Sequence, residues 1–469
     1  MTNSAVRDQV RDETLARRHS MTMPPMAPSV EEVARRLQRY RRTKDPSELW
    51  PGLTERARVA AARELERVAR LVLAEPRQQH IMLDPTSAHD PYALTIAGHT
   101  SGMGPLIGRW IEDGMVDASP AVRGTLLDHL ARSRRIAARI EREVLPAFDA
   151  LISRGIRPVV LKGFHTSRVY YEEPGVRRMG DVDVVVPASR VGDAEAALAD
   201  AGFRPDSEAL RPYKRDWIGP DVDRRIFSID GPDERGPWLF ELHGSLDRRL
   251  HPGAVAKLDS EAGTVEPFEI AGRPVLVLSE PLLVVSLACH CSHELDGSRL
   301  LRLVEIVRVI RADKAAGRLD WDDVLALLRR TRSAEYAYPA LALAEDLAPG
   351  TIDSRVLSAG RRASTWAARH TVARLVPAGG SLDERGALRQ LMWTRGALAV
   401  LQRFWRNVWP ASFVRPADVL PGWRVRLRRI RSGLFSLRAP DERRAPVTPD
   451  APQRPHQPPV ERESHEAPI

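Results

Sequence analysis

Hydrophobic residues recur every three or four positions over much of the chain, and this is the spacing of an amphipathic helix. The spacing predicts helices within residues 29–75, from Ser119 to about Ser153, and again from Pro281 to about Phe404. Gly155 follows the second helix at a place where glycine often ends one. The pattern therefore predicts two helical regions separated by a segment of another kind.

The segment between the helical regions has short apolar runs of strand length. Ile156–Leu161, Asp181–Val186 and Trp238–His243 are such runs, and a helical pattern from Ala188 to Ala201 follows the second run. Strands that alternate with helices indicate an α/β or α+β domain. We therefore expect a short mixed sheet with helices, flanked on both sides by helical regions.

These patterns divide the chain into five segments. We predict a flexible leader at 1–28, an N-terminal helical region at 29–150, a mixed domain at 151–280, a C-terminal helical domain at 281–437 and a disordered tail at 438–469. The two ends are rich in charged residues and proline, a composition that buries too little apolar surface to fold. Any site is therefore expected between them.

The composition of the chain says more about the cellular compartment of the protein than about its binding partners. Of the 469 residues 43% are hydrophobic, and a net charge of +9 is spread over a chain in which 28% of residues are charged. Such a mixed surface permits anionic partners without requiring nucleic acid. The two cysteines, Cys289 and Cys291, are too close together to staple a domain. With no apolar signal or membrane-spanning run evident, we expect a cytoplasmic bacterial protein without an integral membrane segment.

Acidic residues occupy alternate positions in two of the predicted strands. Alternate side chains in a strand share a face, so Asp181 and Asp183 project together, as do Glu241 and His243. If the strands are neighbours, Glu241 joins the aspartates. Adjacent carboxylates repel unless cations lie between them, and their oxygens suit Mg²⁺ or Mn²⁺. Two such ions about 3.5 to 4 Å apart support phosphoryl or nucleotidyl transfer. The D-x-D spacing also arises by chance, as in Asp221-Val-Asp223 within a polar stretch.

A glycine that closes the first predicted strand provides a second element. Lys162-Gly163 passes into a helical pattern, and the start of a helix favours a phosphate through its free N–H groups and its dipole. Lys162, Ser167 and Arg168 would add donors. The alternative is that Gly163 is a turn residue and Lys162 a surface lysine.

Two strings of residues make the chain recognisable. Val160-Leu-Lys-Gly163, followed by the stretch from Tyr170 to Val186, resembles an uncharacterised bacterial nucleotidyltransferase family with an LKG…RxxxDxD core. That family looks like a branch of the polymerase-beta nucleotidyltransferase superfamily. The resemblance extends over roughly residues 85 to 430 and includes Glu241-Leu-His243 and the helical segment that contains Glu305. It implies an α+β, polymerase-beta-like nucleotidyltransferase core at 151–280 between helical regions.

The resemblance also assigns roles to single residues. By that likeness Asp181 and Asp183 match the metal-binding pair, Glu241 the third carboxylate, and Gly163 the nucleotide-binding glycine. Arg177 matches the family arginine; it would neutralise phosphate or brace the carboxylates, or alternatively form a salt bridge that fixes its loop. The chain departs from the superfamily in having Gly163-Phe164 where a Gly-Ser or Gly-Gly pair is usual, and in a longer spacing between this glycine and the D-x-D pair.

The sequence leaves the roles of three histidines undecided: His243, His290 and His293. His243 would act as a general base or as a residue behind the metal ligands, or would be a hydrogen-bonded structural histidine. In Cys289-His-Cys-Ser-His293 the side chains point in several directions on a helix, which does not suit a tetrahedral zinc site. We expect His290 and His293 to line the cleft or to pack in the helical domain.

The resulting hypothesis is a Mg²⁺- or Mn²⁺-dependent transfer of a nucleoside monophosphate from an NTP, such as ATP, to a hydroxyl or phosphate acceptor, with release of pyrophosphate. The sequence leaves open the acceptor (a protein, an RNA or a small molecule) and the oligomeric state. Two alternatives are a catalytically silent nucleotide or nucleic-acid binding module and a metal-dependent phosphohydrolase. The predicted catalytic residues, which are also the predicted metal ligands, are Asp181, Asp183 and Glu241. The predicted nucleotide-binding residues are Lys162, Gly163, Ser167, Arg168 and Arg177.

Overall fold

The structure is a computed structural model, and it describes residues 29–375 with gaps, together with 392–394 and 396. The gaps are 44–45, 75–79, 84–90, 207–213, 221, 223–228, 230, 252–253, 260–263, 294 and 296–299. The predicted leader, the predicted tail and most of the C-terminal helical domain beyond residue 375 lie outside the described residues.

Helices make up most of the described chain. In chain order they are α1 (Val30–Thr43), α2 (Glu55–Leu73), α3 (Pro91–Ser101), α4 (Gly104–Glu112), α5 (Pro120–Ser153), α6 (Lys162–Val169), α7 (Val191–Asp200), α8 (Leu282–His293), α9 (Leu300–Ala315), α10 (Trp321–Arg330), α11 (Ala334–Leu347), α12 (Ser354–Ala363) and α13 (Trp366–Val372).

The strands lie mainly in the middle of the chain. They are β1 (Ile81–Met82), β2 (Val116–Asp117), β3 (Val159–Val160), β4 (Asp181–Val185), β5 (Arg204–Pro205), β6 (Lys214–Ile218), β7 (Leu239–His243), β8 (Arg248–His251), β9 (Ala254–Ala256), β10 (Val265–Ile270) and β11 (Arg273–Leu278). Seven of them form one mixed sheet in the order β10-β11-β3-β4-β7-β6-β5. The pairs β1-β2 and β8-β9 form two small separate sheets.

The middle of the large sheet brings distant parts of the chain together. β4 is antiparallel to β3 and parallel to β7, while β6 runs antiparallel to β7 on the other side. Val182 and Val184 are fully buried on one face of β4. Asp183, at the alternate position, is buried on the opposite face, and that face is directed towards α8 and α9. One face of the sheet therefore packs into a core, and the other carries polar groups.

Two hydrophobic cores support this arrangement, and α5 belongs to both. Leu126 and Leu130, in its first half, pack in a core built mainly from the N-terminal and C-terminal helices. Its second half packs against the sheet, where the Phe148 ring lies 6.2 Å from Phe164 and 6.4 Å from Phe240, in edge-to-face contact. The predicted boundary at residue 150 falls inside this 34-residue helix.

Several sequence predictions agree with these elements. The helix predicted from Ser119 to about Ser153 is α5, and Gly155 follows it with a φ of 69°, the left-handed conformation that glycine adopts readily. The runs beginning at Asp181 and Trp238 form β4 and β7. The mixed α+β class is confirmed. The sequence did not predict β6 or the antiparallel hairpin of β10 and β11.

Within the part of the chain that the structure describes, no helix combines the length and the apolar character needed to cross a lipid bilayer.

Candidate active site

The predicted acidic residues lie on one face of two neighbouring strands. β4 and β7 pair in parallel register, with Asp183 opposite Glu241 and Val185 opposite His243. Residues paired in this way project to the same face of a sheet, and Asp181 lies two residues before Asp183 on the same face. The sequence required these strands to be neighbours for the acidic residues to meet, and they are neighbours.

Three side chains of this face form a compact set of possible metal ligands. One ligand atom from each of Asp183, Glu241 and His243 lies within 4.8 Å of the other two, and all three residues are buried. His243 Nε2 is 3.0 Å from Asp183 Oδ1 and 3.7 Å from Glu241 Oε2. Carboxylate oxygens suit Mg²⁺ and Mn²⁺, so this set can hold a divalent ion. It contains two of the predicted metal ligands and His243; the third predicted ligand, Asp181, lies beside it on β4.

Two lysine ammonium groups lie among the carboxylates. Lys162 Nζ is 2.5 Å from Asp183 Oδ1. On β6, Lys214 Nζ forms an ion pair with Glu241 and lies 3.2 Å from Asp216 Oδ1. Because Asp216 is opposite Glu241 in the sheet register, the acidic row extends over three strands. Lys214 and Asp216 were not predicted as site residues, although their alternate positions in a short strand are the same signal as the D-x-D pair.

The two aspartates of β4 differ in electrostatic environment. Burial, together with the nearby charges of Asp183 and Glu241, raises the pKa of Asp181 to about 6. Burial alone would also raise the pKa of Asp183, but the Lys162 ammonium and the hydrogen bond from His243 hold that pKa well below its ordinary value. Asp183 is therefore ionised throughout the physiological range, and Asp181 is the carboxyl group whose charge responds to a change of pH or to a bound cation.

A buried ion pair closes one side of the site. Arg177 donates from Nε to Glu305 Oε1 at 2.7 Å and from Nη2 to Glu305 Oε2 at 3.0 Å, and Thr166 Oγ1 donates to the same carboxylate. Gly163 lies directly against the guanidinium: a Cβ at this residue would be 2.5 Å from Arg177 Cζ and 2.8 Å from Nη2. Of the two roles predicted for Arg177, the structure has the salt bridge, which joins the loop before β4 to α9.

Asp181 and Asp183 open into a cleft between the sheet and two helices. Helix α8 contributes residues at positions i, i+3 and i+4, and α9 does the same, because residues at these spacings share one helix face. Loop and strand residues of the site complete the lining of the cleft. The lining residues are Lys162, Gly163, Arg177, Asp181, Asp183, Leu287, His290, Cys291, Arg302, Glu305 and Ile306. Arg302 is a cationic lining residue that the sequence did not indicate.

The other predicted residues lie in different surroundings. Ser167 is fully buried, and its Oγ donates to the Phe164 carbonyl at 3.3 Å. Arg168 Nη2 donates to Glu141 at 2.7 Å, across the junction between α6 and α5. His290 lines the cleft as expected, whereas His293 lies at the end of α8.

The match to known families agrees with the geometry of this site. The chain belongs to a family described as uncharacterised nucleotidyltransferases, whose match covers residues 87–349, more than half of the sequence. This confirms the family resemblance noted from the LKG and D-x-D strings. A search of curated proteins and a search of solved structures gave no match. Membership supports nucleotidyl transfer as the general activity, and it implies an NTP as substrate.

Proposed function

We propose that the protein is a Mg²⁺- or Mn²⁺-dependent nucleotidyltransferase that moves a nucleoside monophosphate from an NTP to a hydroxyl or phosphate acceptor. The observation that carries this proposal is the in-register pairing of β4 and β7, which brings Asp183, Glu241 and His243 within 4.8 Å of one another. Asp183 also lines a cleft together with cationic side chains. We further propose that β3, α6, β4 and β7 form a core of the polymerase-beta type, since a strand, a glycine and a helix precede the acidic strand in the order expected for that core.

The carboxylates hold the metal ion in this proposal. Asp181, Asp183 and Glu241 are the ligands predicted from the sequence, and His243 adds an imidazole nitrogen to the same set. When bound, the ion supplies charge stabilisation at the phosphorus and at the leaving oxygen. Lys162 lies beside Asp183 and lines the cleft, so its ammonium group would supply a positive charge to the triphosphate. Arg302 and the backbone of Gly163 line the same cleft and complete an anion-binding surface.

The proposed transfer conserves atoms and charge. An acceptor oxygen forms a bond to the α-phosphorus, while the bond from that phosphorus to the bridging oxygen breaks and pyrophosphate leaves with the electron pair. The proton of a hydroxyl acceptor passes to a carboxylate of the cluster, and a phosphate acceptor is already ionised. The buried Arg177–Glu305 pair fixes the loop that leads into β4, so that Asp181 and Asp183 are held in one geometry.

The test is transfer of labelled nucleotide. Purified protein is incubated with each α-³²P-labelled NTP, Mg²⁺ and cell lysate, beside Asp181→Ala and Asp183→Ala. Asp193→Ala is the matched control, because Asp193 is an exposed aspartate on α7 whose pair with Arg190 at 2.8 Å contributes little to stability. We expect label on a discrete acceptor with the wild type and with Asp193→Ala, and none with the two site variants.

The other outcomes favour the alternative functions. Label released as free phosphate or nucleotide, with no acceptor modified, would favour the metal-dependent phosphohydrolase. If every protein binds a non-hydrolysable NTP analogue and none transfers label, the silent binding module is favoured. Failure of the wild type to bind any such analogue in the presence of Mg²⁺ would contradict the proposed function itself.

A further inference from the structure

Lys214, on β6, lies between two carboxylates of the site. Its Nζ forms an ion pair with Glu241 and is 3.2 Å from Asp216 Oδ1, and only about a tenth of its side chain is exposed. Both acidic partners are buried as well. The lysine thus bridges two carboxylates in a largely buried position. A second divalent ion in an acidic site would bridge carboxylates in the same way.

The register of the sheet fixes this position. Asp216 is opposite Glu241, and Lys214 is opposite His243, so Lys214 projects onto the face that holds the proposed metal ligands. Its neighbour Arg215 projects to the other face, where it pairs with Glu195 at 3.1 Å. Lys214 is therefore placed by the backbone of β6, and its contact with Glu241 does not depend on a flexible loop.

The charges of the site favour a single divalent ion. Four carboxylates lie on this face, and two ammonium groups already oppose them; they are Asp181, Asp183, Asp216 and Glu241, opposed by Lys162 and Lys214. With every group ionised, these six side chains carry a net charge of −2, which one divalent cation neutralises, and Arg302 adds a further positive charge near Asp181. A second divalent ion would leave the cluster positively charged unless a lysine moved away, and burial makes excess charge costly.

The two lysines are not equivalent. Lys162 pairs with a single carboxylate and lines the cleft, so an incoming ion can displace it towards the solvent and the nucleotide. Lys214 bridges two carboxylates, and neither it nor Asp216 belongs to the lining of the cleft among the residues that the structure describes. Displacement of Lys214 would break its contacts with two carboxylates, whereas displacement of Lys162 breaks its contact with one.

We propose that Lys214 takes the place of a second metal ion, so that the site binds one divalent cation through the Asp181–Asp183 side and not a pair of ions. This inference rests on the proposed function, because it assumes that the carboxylates bind a metal. The sequence predicted a site with two metal ions; in this inference the site has one metal ion and one fixed ammonium group. Glu241 would then share its carboxylate between the single ion and the Lys214 ammonium group.

The experiment counts Mn²⁺ bound to the full-length protein. Equilibrium dialysis at millimolar Mn²⁺ gives the number of ions per chain, and electron paramagnetic resonance distinguishes an isolated ion from a coupled pair about 3.5 to 4 Å apart. The variants are Lys214→Met, which removes the charge, and Lys214→Arg, which keeps it. Arg215→Met is the matched control, since it removes a cation from the same strand but from the opposite face. Circular dichroism of each variant verifies the fold.

We expect one isolated ion in the wild type, Lys214→Arg and Arg215→Met, and a coupled pair of ions in Lys214→Met. A coupled pair in the wild type would overturn the inference while leaving the proposed function intact. A single isolated ion in a folded Lys214→Met protein would overturn it too, because the lysine would then not be what excludes the second ion. No Mn²⁺ bound to the wild type would contradict the proposed function. If Lys214→Met does not fold, the wild-type spectrum alone decides between one ion and two.

Discussion

Replacing Gly163 with alanine tests how tightly the site is packed. The added methyl group would lie 2.5 Å from Arg177 Cζ and 2.8 Å from Nη2, and it would be closer still to Nη1. Because the whole planar guanidinium is in contact, rotating one terminal atom does not relieve the clash. Arg177 must withdraw, and it then loses its two hydrogen bonds to the buried carboxylate of Glu305.

The magnitude follows from two opposing contributions. Breaking a buried ion pair costs about 3 to 5 kcal/mol, because one charge is left without compensation. Alanine in place of glycine in a helix returns up to about 1 kcal/mol. The φ of Gly163 is not positive, so alanine adds no backbone strain there. We therefore expect Gly163→Ala to lower the free energy of unfolding by about 2 to 5 kcal/mol.

The assay is urea denaturation followed by circular dichroism, with Gly124→Ala as the control. Gly124 lies in α5, and a methyl group added to it would have nothing within 4 Å, so the same substitution there should stabilise the protein by up to about 1 kcal/mol. The double variant Gly163→Ala/Glu305→Gln should cost less than the sum of its two single variants, because both break one ion pair. A Gly163→Ala protein as stable as the wild type would refute this account of the contact.

Three further predictions concern stability. Thr166→Val removes a hydrogen bond to the buried Glu305 carboxylate and should cost about 1.5 to 3 kcal/mol in urea denaturation, with Thr166→Ser closer to the wild type. Burial lowers the pKa of His165 from 6.5 to about 4, so the unfolded chain binds the extra proton and stability should fall as the pH drops through that window. His165→Gln should reduce the change of the melting temperature with pH over this window. An unchanged pH dependence would contradict the role given to His165. Phe148→Ala should cost about 3 to 5 kcal/mol in thermal unfolding, because it removes a ring in contact with Phe164 and Phe240.

Local periodicity was sufficient to predict which side chains share a face. The alternation in β4 and β7 is a property of each strand alone, so the grouping of Asp181 with Asp183, and of Glu241 with His243, follows without knowledge of the fold. Their meeting across strands depended on the order of the sheet. The family strings indicated that order only indirectly, through the resemblance.

The missed contacts are those between residues far apart in the sequence. Arg177 and Glu305 are 128 positions apart, and each was noted separately, but no local pattern pairs them. Lys214 was missed because β6 is a short strand with no strong apolar run, and only its place beside β7 gives it a partner in Glu241. Burial likewise overrode local chemistry at Ser167, whose hydroxyl is turned into the protein and bonds to its own helix.

The sharing of α5 between both cores has a practical consequence for anyone who dissects the protein. A fragment starting at residue 151 would contain the whole large sheet but would lose Phe148, which fills the space between α6 and β7. A fragment ending at residue 150 would leave the apolar second half of α5 exposed to water. The sheet and the helices around it should therefore be expressed, unfolded and engineered together, with any tag or truncation placed outside the span of this one helix.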